Sequence, residues 1–288
     1  MGGAMRLAFN LFKLRIGIVI AFTALAGAVI QPGPAVPRWQ LAVLALAVLV
    51  SSAAAGAFNQ YYEWEFDRRM ERTRGRPFVT GALAHHAGWL WLIALMTAAA
   101  VAAAGVAVNP VAALHTFLGA FVYAVVYTVW LKRRTWLNIV IGGLAGSFAV
   151  LAGAAAVTPA LSPEALLLAL VLFLWTPPHF WSLAIAYRSD YAAAGVPMLP
   201  VAKGNAFAAR AIFAHIVLLV AASLAPALYS AGGIYLAGAA AGGTLFLRYG
   251  WRLARHPDTK SAMACFHASL AQLSLLLAAT MLEGALRA

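Results

Sequence analysis

The chain alternates long apolar runs with short polar connections. Apolar runs lie near 12–31, 40–60, 87–108, 110–131, 138–157, 164–187, 209–230, 232–251 and 263–283. Each is close to the roughly 20 residues a helix needs to cross about 30 Å of hydrocarbon. The expected fold is an all-α membrane protein, with nine transmembrane helices in one bundle and a single polytopic domain over 1–288. A tight Asn109-Pro110 turn makes the third and fourth runs antiparallel neighbours. The stretch Trp175 to Trp181 (WTPPHFW) puts Pro177 and Pro178 inside the sixth run. That predicts a broken helix whose freed carbonyls face protein or a cavity. The fifth run is rich in small residues (Gly142, Gly143, Ala145, Gly146, Ser147) and admits close neighbours or a flat ligand.

Two connections, near 59–81 and 187–205, carry the candidate chemistry. The first, Asn59 to Pro77, is the most polar run in a chain that is 64% hydrophobic and 10% charged. Asn59, Glu63, Asp67 and Glu71 follow one another at four-residue steps, which on a helix stacks them in one column. Stacked carboxylates repel unless a cation lies between them. Arg68, Arg69, Arg72, Arg74 and Arg76 come directly after. Oxygen ligands beside guanidinium groups suit a metal-bound polyphosphate. A solvated loop whose acids and bases neutralise each other has the same composition. The position of Asn59 and Glu63 at the end of an apolar span favours function, because ionisable groups there serve a site by default. Asp190 stands at the end of the sixth run as Asp67 does near the end of the second, flanked by Arg188 and Lys203, with a Pro197/Pro200 loop suited to a lid. A displacement of four spans between the two motifs reads as two related four-helix halves plus a ninth helix, with both acidic ends aimed at one central cavity.

The net charge of +12 raises nucleic acid as a partner, and its distribution excludes that reading. All of the 20 Lys and Arg except Arg38 and Arg287 fall on one face of the expected bundle, as does every acid except Glu164 and Glu283. This asymmetry predicts a cytoplasmic N-terminus, an outside C-terminus, and the lipid bilayer as surroundings. Arg6, Lys13 and Arg15 enter only as part of that basic excess. The charged start also fits a cleavable leader ending near Ala24-Leu25-Ala26, which would leave eight spans. No long presequence precedes the first run, so the expected location is a bacterial inner membrane rather than a mitochondrial one. A lone Cys265 inside the last run excludes a disulfide framework and a cysteine metal site.

Other polar and aromatic residues carry two readings each. Tyr127 and Trp130 precede Lys132, Arg133 and Arg134, as interface anchors do. They also suit an aromatic wall for a cation beside phosphate ligands. His179 is either a packed, hydrogen-bonded histidine or a substrate contact. His85 and His86 point about 100° apart on a helix and make a poor chelate, and His115 is expected to be structural.

Asn59, Glu63 and Asp67 match an Asn-x-x-x-(Asp/Glu)-x-x-x-Asp pattern, followed by Arg-Thr-x-x-Arg-Pro over Arg72 to Pro77. With PPHFW, DYAAAGVPMLP and the YTVWLKRRT stretch, nearly the whole chain resembles the UbiA-type intramembrane prenyltransferases, in their protohaem IX farnesyltransferase (haem O synthase) branch. The resemblance implies a nine-helix bundle around a central cavity, Mg²⁺, and conversion of haem b to haem o with farnesyl diphosphate. It also implies haem A synthase or terminal oxidase assembly as partners. Carried over, Asn59, Glu63 and Asp67 hold the metal, with Asp190 at a second metal region. Arg72, Arg76, Lys132, Arg188 and Lys203 bind diphosphate, and Tyr127, Trp136, Asn138, His179 and Tyr187 line the prenyl or haem sites. Two departures stand out. Ala194 takes a place where the wider superfamily has a second acid, and SFAVLAG after Gly146 lacks the usual prolines.

Three rival functions remain open on the sequence. The same fold can serve another acceptor, such as 4-hydroxybenzoate or a chlorin. A transporter of haem or polyprenyl phosphate also uses broken helices and a basic face. An assembly factor without catalysis has no need of the acidic column.

Overall fold

The computed structural model describes residues 3–287, and regular structure among them is helical. Helices α1 (Gly3–Leu11), α2 (Leu14–Ile30) and α3 (Arg38–Tyr62) are followed by two single turns, α4 (Trp64–Asp67) and α5 (Pro77–Thr80). Then come α6 (Gly88–Ala107) and α7 (Pro110–Phe121), which continues as a π-helical segment over Val122–Leu131. Helices α8 (Asn138–Gly142), α9 (Leu144–Val157) and α10 (Pro163–Ala186) lead to the short α11 (Arg188–Ala193) and α12 (Leu199–Lys203). The chain closes with α13 (Asn205–Leu224), α14 (Gly233–Arg255) and α15 (Thr259–Arg287).

Seven helices are long and apolar enough to cross a membrane, or eight if the bent pair α1–α2 is one span. The expected nine is not reached on length and composition. The shortfall lies in α14, which has 23 residues and packs on α13 and α15. Its apolar content is diluted by Arg248, Arg252 and Arg255 and by glycines that admit its neighbours. Gly242 lies against Gln272 of α15, and Gly250 against Ile216 of α13. Small residues raise packing and lower hydropathy together.

The first run is not one straight helix either. It breaks at Lys13 and bends by 56° between α1 and α2. Lys13 has φ 48° and ψ 42°, a left-handed backbone that costs a non-glycine residue about 1–2 kcal/mol. Beyond the break, α2 is an integral part of the bundle. Its Ala24, Ala26 and Gly27 are buried, and α2 and α9 meet so closely that each uses a glycine against a backbone carbonyl of the other.

The sixth span corrects a second expectation. Helix α10 runs unbroken through Pro177 and Pro178. Pro177 cannot donate to the Phe173 carbonyl, and that oxygen instead faces Gly143, where a Cβ would come within 3.3 Å. Thr176 and Ser182 donate their hydroxyls to the Leu172 and Pro178 carbonyls at 3.0 and 2.6 Å. The Phe173 acceptor thus faces protein while the helix continues. The connection after α10 is not a loose lid. Its Tyr191, Val196, Met198 and Leu199 are buried in the same core as Trp181, Ile212 and Phe246.

The α2–α9 crossing generates a prediction. A Cβ at Gly153 would collide with the Ala24 carbonyl oxygen, which is backbone and cannot rotate away. Gly153→Val should destabilise the protein by about 1–3 kcal/mol, the usual cost of overpacking. Gly233→Ala, where a Cβ meets nothing within 4 Å, should leave stability near wild type. Thermal unfolding in detergent measures both, and equal midpoints for the two variants would refute the close crossing.

Candidate active site

The acidic column survives a change of helix. Tyr62 ends α3, and Glu63 sits at φ −96°, ψ 5° before the single turn α4. Even so, the Glu63 amide donates to the Asn59 carbonyl at 3.0 Å and the Asp67 amide to the Glu63 carbonyl at 2.9 Å. The four-residue step is therefore kept through the break, and Asn59, Glu63 and Asp67 are all buried. Glu71 leaves the column. It is exposed and pairs with Arg74 at 3.2 Å, as a surface ion pair does.

Each buried donor holds a base. The Asn59 Oδ1 accepts from Lys13 Nζ at 2.7 Å, while its Nδ2 donates to Glu63 Oε2 at 2.7 Å and Thr128 Oγ1 at 3.1 Å. Glu63 Oε2 pairs with Lys132 Nζ at 2.5 Å, and Asp67 Oδ2 with Arg76 Nη1 at 2.6 Å. Burial pushes the Glu63 carboxyl up, but Lys132, Arg76 and Lys13 together outweigh it and hold the group below its ordinary range. Lys132 reaches Glu63 from the end of the π-helical segment, whose i→i+5 bonds include Lys132 N to Tyr127 O at 2.9 Å. In that segment Thr128 donates to the Tyr123 carbonyl at 2.9 Å, and Tyr123 and Tyr127 stack with centroids 5.6 Å apart. Such windings are frequent at functional sites.

The second motif joins the first. Asp190, half-buried in α11, accepts from the Arg72 backbone amide at 3.5 Å, across 118 positions of sequence. Arg133 stacks on Phe66 at 3.9 Å and donates to the Tyr62 hydroxyl at 3.3 Å, so it holds α4 against the end of α3. The donors present are all oxygens, the chemistry a hard divalent cation such as Mg²⁺ takes. Among the described residues no three His, Cys, Asp or Glu side chains form a ready-made metal cluster. The fit is one of donor chemistry, with Asn59 as an essential member and bases that must give way.

The remaining predicted residues divide. Tyr127 adjoins the site, with Lys132 Nζ 5.7 Å from its ring centroid. Asn138 is buried and donates to the Thr135 and Lys132 carbonyls at 2.6 and 3.4 Å, while its Oδ1 has no hydrogen-bond partner. Trp136 packs against the main core. His179 takes the packed reading. It lies between Trp175 and Phe266, with centroids 4.2 and 4.5 Å away, and its Nδ1 meets Ser269 Oγ at 2.7 Å. Arg188, Lys203 and Tyr187 are exposed and make no hydrogen bond to the acids among the described residues. Reasoning from sequence missed Lys13, Tyr123 and Thr128. Lys13 had a signal, since it is a charge inside the first apolar run.

Comparisons with known proteins identify the family. The UbiA prenyltransferase family matches residues 20–276. A Paramagnetospirillum magneticum protein named protoheme IX farnesyltransferase 2 is 60% identical over 277 residues, 95% of each chain. A Thioalkalivibrio sulfidiphilus protein named protoheme IX farnesyltransferase is 40% identical, over 98% of this chain and 93% of that one. Two solved structures share the fold. One is a digeranylgeranylglyceryl phosphate synthase, with TM-score 0.75 and 18% identity over 97% of this chain and 98% of its own. The other is a UbiA homolog from Archaeoglobus fulgidus bound to GPP and Mg²⁺, with TM-score 0.71 and 15% identity over 96% and 99%. A sequence match that runs from the first span into the last, on a bundle of shared fold, makes this chain a member of the UbiA prenyltransferase family, in its protohaem IX farnesyltransferase group.

Proposed function

We propose that this chain transfers the farnesyl group of farnesyl diphosphate to a vinyl group of haem b, with addition of water, to give haem o and diphosphate. The observation that carries this reading is 60% identity over 95% of the chain to a protein named for that activity. The meeting of the two acidic motifs, through Arg72 and Asp190, supports a single site for it.

In this reading Asn59, Glu63, Asp67 and Asp190 hold Mg²⁺, which when bound neutralises diphosphate and makes it a leaving group. Arg72, Arg76 and Lys132 are diphosphate donors. Arg188 and Lys203 join them from the exposed connection after α10. The substrate C1–O bond breaks with its electron pair going to diphosphate. The vinyl π electrons then form the new C–C bond to C1, and water adds to the resulting cation and loses a proton. Tyr127 borders the diphosphate donors and offers its ring face to the allylic cation. Burial of the acids keeps water from capturing that cation early. Trp136, Asn138 and Tyr187 complete the walls of the prenyl and haem sites, and His179 steadies the wall from within the core. The bundle in this reading has nine spans, α14 included, as two related four-helix halves and a last helix around a central cavity. It lies in a bacterial inner membrane, N-terminus cytoplasmic and C-terminus outside. Its product passes to haem A synthase or to terminal oxidase assembly.

Two tests follow. Asp67→Asn and Asp190→Asn should each lower haem o formation by about a hundredfold or more, the scale of losing one preorganised charge contact. Mass spectrometry of haems from membranes given farnesyl diphosphate reads this directly, and full product from either variant would end the reading. Removing divalent cations with EDTA should stop transfer, and added Mg²⁺ should restore it. Undiminished turnover in EDTA would dismiss the metal. Labelled farnesyl diphosphate offered with haem b or 4-hydroxybenzoate separates the acceptors.

A further inference from the structure

Lys13 lies outside every motif above, yet the first span is bent to deliver it to the acids. Among the described residues it is the one non-glycine with positive φ, and it sits at the 56° break. Helix α3 builds a berth for it. Gly56 leaves room for the lysine stem, since a Cβ there would come within 3.3 Å of Lys13 Cδ. One turn on, Gln60 donates to the Asn10 and Leu11 carbonyls at 2.8 and 3.0 Å, which fastens the end of α1. The ammonium then donates to Asn59 Oδ1 at 2.7 Å and to the Tyr123 hydroxyl at 3.1 Å.

The partners are unequal. Lys132 has the Glu63 carboxylate and Arg76 has the Asp67 carboxylate. Lys13 has only a neutral amide and a phenol, and no carboxylate lies within salt-bridge distance of it among the described residues. A lysine drawn in from water is normally paired with an anion, and this one has none among the described residues. The Asn59 oxygen it occupies is also the one a divalent cation would take.

We propose that Lys13 is a diphosphate-binding residue, held over the site by Asn59 and Tyr123 until the anion arrives. This rests on the reading of Asn59, Glu63 and Asp67 as the cation-holding donors. Lys13 would give up the Asn59 oxygen to a bound divalent cation, and its ammonium would then serve as a donor to the diphosphate. Metal and lysine therefore compete when the metal is alone and cooperate when diphosphate accompanies it.

That sign change is the test. The full chain in detergent is titrated with Mn²⁺ alone, followed by electron paramagnetic resonance, and with inorganic pyrophosphate in Mg²⁺, followed by calorimetry. Lys13→Met and Lys13→Gln should bind Mn²⁺ alone at least as tightly as wild type, because a competing like charge is gone. Both should bind pyrophosphate roughly tenfold or more weakly, the usual scale for a hydrogen bond to a charged group. Lys13→Arg should recover most of that loss. Lys13→Gln keeps a donor for Asn59, so it guards against a fold lost with the side chain, and thermal unfolding checks each variant. Unchanged pyrophosphate binding in Lys13→Met and Lys13→Gln overturns the proposal alone. So does a parallel loss of both ligands with a lowered unfolding midpoint, which marks a structural prop. A wild type that binds neither probe overturns the cation-holding reading and this proposal with it.

Discussion

A carboxylate taken out of water requires a positive partner, and that requirement organises the end of α3. Glu63 and Asp67 are buried at the end of an apolar span, where water cannot neutralise them. Lys132 and Arg76 do so instead, and breaking such a buried pair typically costs about 3–5 kcal/mol. Because Lys132 comes from the π-helical segment and Arg76 from the loop before α5, the charges fix the relative placement of three segments.

Three irregularities of the backbone meet at this one place. The first span breaks at Lys13, α3 stops at Tyr62, and the fourth span unwinds into π winding over Val122–Leu131. Each departure turns a side chain toward Asn59, Glu63 or Asp67. Helix α10, by contrast, holds its course through two prolines. Strained or irregular backbone collects where function needs particular atoms in particular places.

The same bases that neutralise the acids are those a diphosphate would attract. A site built this way would exchange one set of ion pairs for another on loading, with Glu63 and Asp67 passing from a basic side chain to a bound cation. The exposed Arg188 and Lys203 hold no acid among the described residues, so a diphosphate would gain them without breaking an ion pair.

Local pattern alone determined the helical class, most of the spans, the acidic column and the second acidic motif. Each is visible because hydrophobic run length and four-residue spacing are properties of neighbouring residues. Glu71 shows the limit of that spacing, since a helix can end inside a pattern that continues. The count of nine is not confirmed at α14, where glycines that serve packing dilute the hydropathy, and the WTPPHFW stretch misled because the freed Phe173 carbonyl faces Gly143, between α8 and α9. Only the tertiary structure decided that Asp190 meets Arg72, that Lys132 faces Glu63, and that Lys13 belongs to the site at all. Those contacts join residues 46 to 118 positions apart. Which helix faces which is set by packing and by the pairing of buried charge, and neither is written in the order of adjacent residues.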